Sequence, residues 1–188
     1  MQHQEKVLIV WWKNYLLKYT LWIYLISEPK YAKNFYLTFN LLYMETIFLL
    51  FNLISTLLIA GILWFVQLVH YPLFNEIPAK NMVNYGYYHM QKISGIINLL
   101  FIVDFITIVF LLLLVNSDLS ATLMVINISI FLFIVFLTRI TFLPIHQQLS
   151  KNPNSTLIAK LINLNWIRTL VWSLKVIFLL IIFIEILI

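Results

Sequence analysis

From Met44 onward, long apolar runs alternate with short polar segments, and four runs stand out. The first covers 46–69 and ends at His70-Tyr71-Pro72. A second, 93–115, follows a polar loop, and the Asn116-Ser117-Asp118 turn leads at once into a third, 119–143, which Pro144 is expected to stop. The fourth occupies 166–188. Each run is long enough to cross about 30 Å of hydrocarbon as a helix. The polar and apolar alternation of a barrel strand is missing, and the runs exceed the roughly 10 residues such a strand needs. The expected fold is therefore an all-α integral membrane protein, a four-transmembrane-helix bundle formed by 44–188, with the lipid bilayer as its first partner.

Residues 1–43 fit this plan less well. They carry Lys6, Lys13, Lys18, Lys30 and Lys33 against Glu5 and Glu28, yet they precede a span whose start belongs on the less basic side. One reading makes 7–26 an extra N-terminal helix; Lys13, Asn14 and Lys18 at its centre favour an interfacial position over a fifth span. The other, which is preferred, places the natural start at Met44. No small-residue cleavage site follows the apolar stretch, so a signal peptide is not expected.

Composition sharpens the picture. Of the 188 residues 63% are hydrophobic and 10% charged, which excludes a water-soluble globule. Twelve Lys and Arg against seven Asp and Glu would elsewhere raise the question of nucleic acid, but in so apolar a chain the excess reads as topology. Loop 70–92 has Lys80 and Lys92 against Glu76, and loop 144–165 has Lys151 and Lys160 with no acid. Both are expected to face the cytoplasm, with Glu45 and Glu185 on the far side. The chain has no cysteine, which removes disulfides and thiolate ligands, so a haem or metal would have to rest on His, carboxylate or Met.

Polar residues within the runs are the candidates for function, because the bilayer does not solvate them. Asp104 lies about 16 Å into the second run, near the midplane, where it must be protonated or paired. It is either a proton-handling group, a ligand's counter-ion or a helix-packing contact. On the fourth run Asn165, Arg168, Trp172 and Lys175 fall within about one quarter of the helix circumference. That stripe suits an anionic or carbonyl-bearing small hydrophobic molecule, unless Arg168 and Lys175 snorkel to phosphates and Trp172 joins the interfacial belt. On the first run Asn52, Ser55, Thr56 and His70 share a side and Gln67 lies about 60° away. Arg139 and His146 share a face of the third if Pro144 only kinks it. The proposed cytoplasmic end thus gathers Gln67, His70, His89, Arg139, His146, Asn165 and Arg168. The three histidines there suit proton transfer, a His-bound metal, a haem or a quinone, or plain hydrogen bonding, and their spacing does not choose. Tyr71, Tyr85, Tyr87, Tyr88 and Trp64 read as an aromatic belt.

The stretch Trp64-Phe65-Val66-Gln67-Leu68-Val69-His70-Tyr71-Pro72-Leu73-Phe74, with Tyr88-His89, Pro144-Ile145-His146, Asn165-Trp166-Ile167-Arg168-Thr169 and Trp172, resembles a family of small, mostly uncharacterised four-span bacterial membrane proteins. More distantly, the helix layout and the Asn165-x-x-Arg168 element are similar to the anthrone-oxygenase-like membrane family. That resemblance implies oxidation of a polycyclic aromatic or related small molecule by dioxygen, with Asn165 and Arg168 as site residues. Two functions stay open: a ligand-binding bundle, an oxidoreductase if it is an enzyme, and a non-catalytic oligomeric transporter or complex subunit. So short a chain can enclose little alone, so transport would require a homo-oligomer.

Overall fold

The computed structural model describes residues 29–187 other than 116 and 153. The expected interfacial helix 7–26 lies outside these residues. By internal packing the chain divides into two compact units, Met1–Met44 and Glu45–Ile188. The described residues form helices only: α1 (Pro29–Phe65), α2 (Ala79–Leu114), α3 (Asp118–Leu137), α4 (Leu143–Leu149) and α5 (Ser155–Leu187). Among the described residues, four stretches are long and apolar enough to cross a membrane, Asn40–Glu76, Lys80–Leu114, Asp118–Leu149 and Ser155–Ile186. The four-helix bundle expected from the apolar runs is the observed fold of the Glu45–Ile188 unit.

Each of these helices is apolar nearly all round, so little separates an inner from an outer face by hydrophobicity alone. What distinguishes the faces is size and polarity. Leu99, Ile102, Leu113, Phe136 and Leu170 point outward, as suits a lipid-facing surface, whereas the polar Asn52, Thr56, Asp104, Asn127, Asn165 and Thr169 are fully or almost fully buried. Helix α3 begins at Ser117, whose hydroxyl accepts from the Ser120 amide, and the hydroxyls of Ser117 and Ser120 both donate to Glu185 near the end of α5. This ties the α2–α3 turn to the C-terminal end of the last helix.

Two apolar cores fill the bundle. One includes Leu49, Ile59, Leu63, Ile108, Met124, Ile134, Trp172 and Leu179. The other, toward the loops 70–92 and 144–165, includes Val66, Tyr71, Phe74, Met82, Phe142, Ile145 and Leu161.

Pro144 does not stop the third helix, contrary to the sequence expectation. The helix passes through a π-type turn, Thr138–Phe142, and continues as α4, with Pro144 in its first turn. The wide turn is closed by the Leu143 amide donating to the Thr138 carbonyl. A twin occurs at the end of α1, where Val66–His70 form a π-type turn closed by Tyr71 donating to Val66 (2.9 Å), again one residue before a proline, Pro72. Proline lacks an amide hydrogen and its ring collides with the carbonyl four residues back; a widened turn moves that carbonyl away, so the chain stays helical.

Candidate functional site

The two π turns flank a cavity of about 270 Å³ where the two cores meet, walled by Leu63 and Phe101 of one and Val66, Tyr71 and Phe142 of the other. Its remaining wall mixes apolar Ile62, Met90, Ile93, Ile97, Val135 and Leu143 with polar His89, Arg139, His146, Asn165, Arg168, Thr138, Ser94 and Asn98. Five residues expected at one end of the bundle, His89, Arg139, His146, Asn165 and Arg168, therefore share this cavity. Gln67 and His70 stand one contact behind it. Gln67 accepts from the Asn165 amide nitrogen through Oε1 (2.9 Å), and His70 Nε2 lies 2.9 Å from His89 Nδ1, one imidazole donating to the other.

Arg139 and His146 both line the cavity, but their spacing of seven does not leave them equally buried. The π turn between them spends an extra residue, so seven residues no longer complete two turns. His146 is buried and Arg139 is largely exposed at the rim.

Tyr71 departs from the expected aromatic belt. It is buried, its hydroxyl lies 3.0 Å from His146 Nε2, and it shares the cavity wall with Arg168. The signal in the sequence is the proline after it, since a π turn before Pro72 rotates Tyr71 inward. Tyr85 is partly exposed and lies parallel to His89 at 6.4 Å, while Tyr87 and Tyr88 remain outside. Phe74 packs edge-on against both His70 and His89.

Arg168 is the chemical centre of the cavity. It is 8% exposed, stacks over the Phe142 ring at 4.3 Å from its centroid, and leaves Nε without a partner. Asn165 Oδ1 and Thr138 Oγ1 are likewise buried and unpartnered on the same wall. A forked donor, a hydroxyl and a free amide oxygen can together hold a polar group of a ligand whose body meets apolar wall. His89 and His146 can exchange protons with it. The histidine rings approach each other, with centroids 4.5 Å apart for His70 and His89 and 5.6 Å for His89 and His146. Among the described residues, however, no group of three or more His, Asp or Glu side chains is arranged to hold a metal ion.

Asp104, Trp172 and Lys175 belong to a second polar cluster deeper in the bundle. Lys175 Nζ donates to both Asp104 oxygens (2.6 and 2.5 Å) and to Thr56 Oγ1 (3.0 Å), with both side chains of the ion pair fully buried. Asp104 Oδ1 also accepts from Asn52 Nδ2 (2.9 Å) and Thr56 Oγ1 (2.8 Å). Trp172 donates to the Thr56 carbonyl (3.0 Å) and lies under the ammonium at 4.9 Å. Lys175 and Asp104, expected to serve a ligand or a proton path, thus meet each other. Phe101, stacked on Trp172 at 5.5 Å, connects this cluster to the cavity wall. No protein-family model, curated protein or solved structure matches the chain.

Proposed function

We propose that this protein is an integral protein of a bacterial cytoplasmic membrane that binds a small hydrophobic molecule bearing an anionic or carbonyl group. The site is the cavity between the π turns, and the end that carries it faces the cytoplasm. One observation carries the reading: a buried arginine with an unpartnered Nε on the wall of a cavity that also presents apolar side chains. Leaving a charged donor unsatisfied away from water is costly, and a ligand oxygen removes the cost.

Oxidoreduction is the reaction class that the distant family resemblance implies, and the site has parts that suit it. Arg168 would hold negative charge developing on a ligand oxygen, while His89 or His146 would accept a proton. The opposing reading, a non-catalytic component of a membrane complex, draws support from the Asp104–Lys175 cluster, whose hydrogen bonds join α1, α2 and α5 and turn inward on one another.

The test is to purify the protein gently in its own lipids, record an absorption spectrum, and extract and weigh any retained small molecule. A retained compound is expected in the wild type and is lost in Arg168→Ala and His146→Ala at an unchanged melting temperature. Retention of the same compound by both variants would overturn the reading.

A further inference from the structure

We infer that the molecule bound in this cavity is an anion, a lipophilic acid in its ionised form, and that it supplies the counter-charge Arg168 lacks. The inference rests on the ligand-binding reading and narrows it by removing the neutral carbonyl.

The bundle buries two cations and treats them differently. Lys175 has its own carboxylate, Asp104, and this is the only ion pair among the described residues. Arg168 has a phenol, an aromatic face and a cavity. A buried lysine can escape the cost of its charge by losing a proton, but a guanidinium keeps its proton in proteins. Among the described residues no carboxylate meets the charge on Arg168, which leaves it for a bound anion.

None of its neighbours does so. Tyr71, whose hydroxyl lies 3.0 Å from His146 Nε2, is a phenol and brings no carboxylate to Arg168. His89, His146 and Arg139, the other titratable groups on the wall, add either no charge or a positive one. A neutral carbonyl would accept a hydrogen bond from Nε and leave the charge uncompensated; a carboxylate or phosphate satisfies both. Thr138 Oγ1 is free to donate to the same anion. Ile97, Val135 and Leu143 provide wall for an apolar body.

The shared chemistry of an anionic head on an apolar body fits a free lipophilic acid or the headgroup of an anionic lipid, and the experiment separates them. The protein in native-lipid nanodiscs is irradiated with one of three probes: decanoic acid carrying a terminal diazirine, its methyl ester, or a phosphatidic acid with a diazirine in one chain. The labelled residues are mapped by mass spectrometry. The acid is expected to label Ile97, Phe101, Val135 or Leu143 at least about tenfold more than the ester, and Arg168→Gln removes the difference. Because acid and ester are compared on unaltered protein, the result does not depend on the variant folding. Labelling of these residues by phosphatidic acid alone upholds the anion and assigns it to lipid. Equal labelling by acid and ester overturns the anion and leaves the cavity as a binding site. Labelling confined to outward residues such as Leu113 and Phe136, with every probe, overturns both.

Discussion

All three protons of the Lys175 ammonium are used, two on Asp104 and one on Thr56, at a site with no solvent exposure. Asp104 in turn accepts from Asn52 and Thr56. Such a pair offsets its own desolvation only while complete, so breaking it is worse than removing it. Asp104→Asn is expected to destabilise the protein by about 3–5 kcal/mol, and the double change Asp104→Leu with Lys175→Leu by clearly less. Thermal unfolding followed by tryptophan fluorescence in detergent reads both. A single variant within about 0.5 kcal/mol of the wild type would sink the idea. That Asp104 must be protonated or paired was legible in the sequence, and so was the inward stripe from Asn165 to Lys175. Their partnership was not. A helical wheel gives the direction of a side chain around its own axis, whereas the pairing depends on how far α5 is shifted and rotated against α2.

At the level of elements, the paired π turns set the site. Each lies one residue ahead of Tyr71-Pro72 or Leu143-Pro144, and each turns a side chain inward, Tyr71 from one and His146 from the other. Relaxing one of them should rotate the residues on its C-terminal side. In Pro144→Ala the amide restored at position 144 favours an ordinary α-helical turn, which swings His146 away from Tyr71. The chain has no cysteine, so Tyr71→Cys with His146→Cys can be bridged by a short dithiol reagent without background. Cross-linking is expected in the Pro144 background and should fall severalfold in Pro144→Ala. Equal yields would mean that the turn is held by packing and not by the proline. The sequence suggests a stop at Pro144 because a missing amide ends most helices; only the packing of Phe142, Ile145 and Leu149 in the second core reveals that the helix is carried through.

For the whole molecule, the alternation of the four spans among the described residues places the loops 70–92 and 144–165 at one end and the Ser117 turn with Glu185 at the other. If the basic loops are cytoplasmic, a membrane-impermeant maleimide added to intact cells should label Ser117→Cys and spare Lys80→Cys and Lys151→Cys, with the pattern reversing in inverted vesicles. Labelling of Lys80→Cys from outside would turn the proposed orientation over, and with it the side from which the cavity is reached. Run length and apolarity alone determined the class, the four spans and the short α2–α3 turn, because the bilayer demands about 20 consecutive apolar residues and a satisfied backbone whatever surrounds them. Which end holds the polar site was also legible, since Gln67, His89, His146, Asn165 and Arg168 cluster at matching ends of their runs. Tertiary structure alone decided that Lys175 belongs to Asp104 while Arg168 faces a cavity. The two cations lie seven residues apart on one helix and look alike in sequence. What separates them is what stands opposite each, a carboxylate on α2 for one and the cavity for the other.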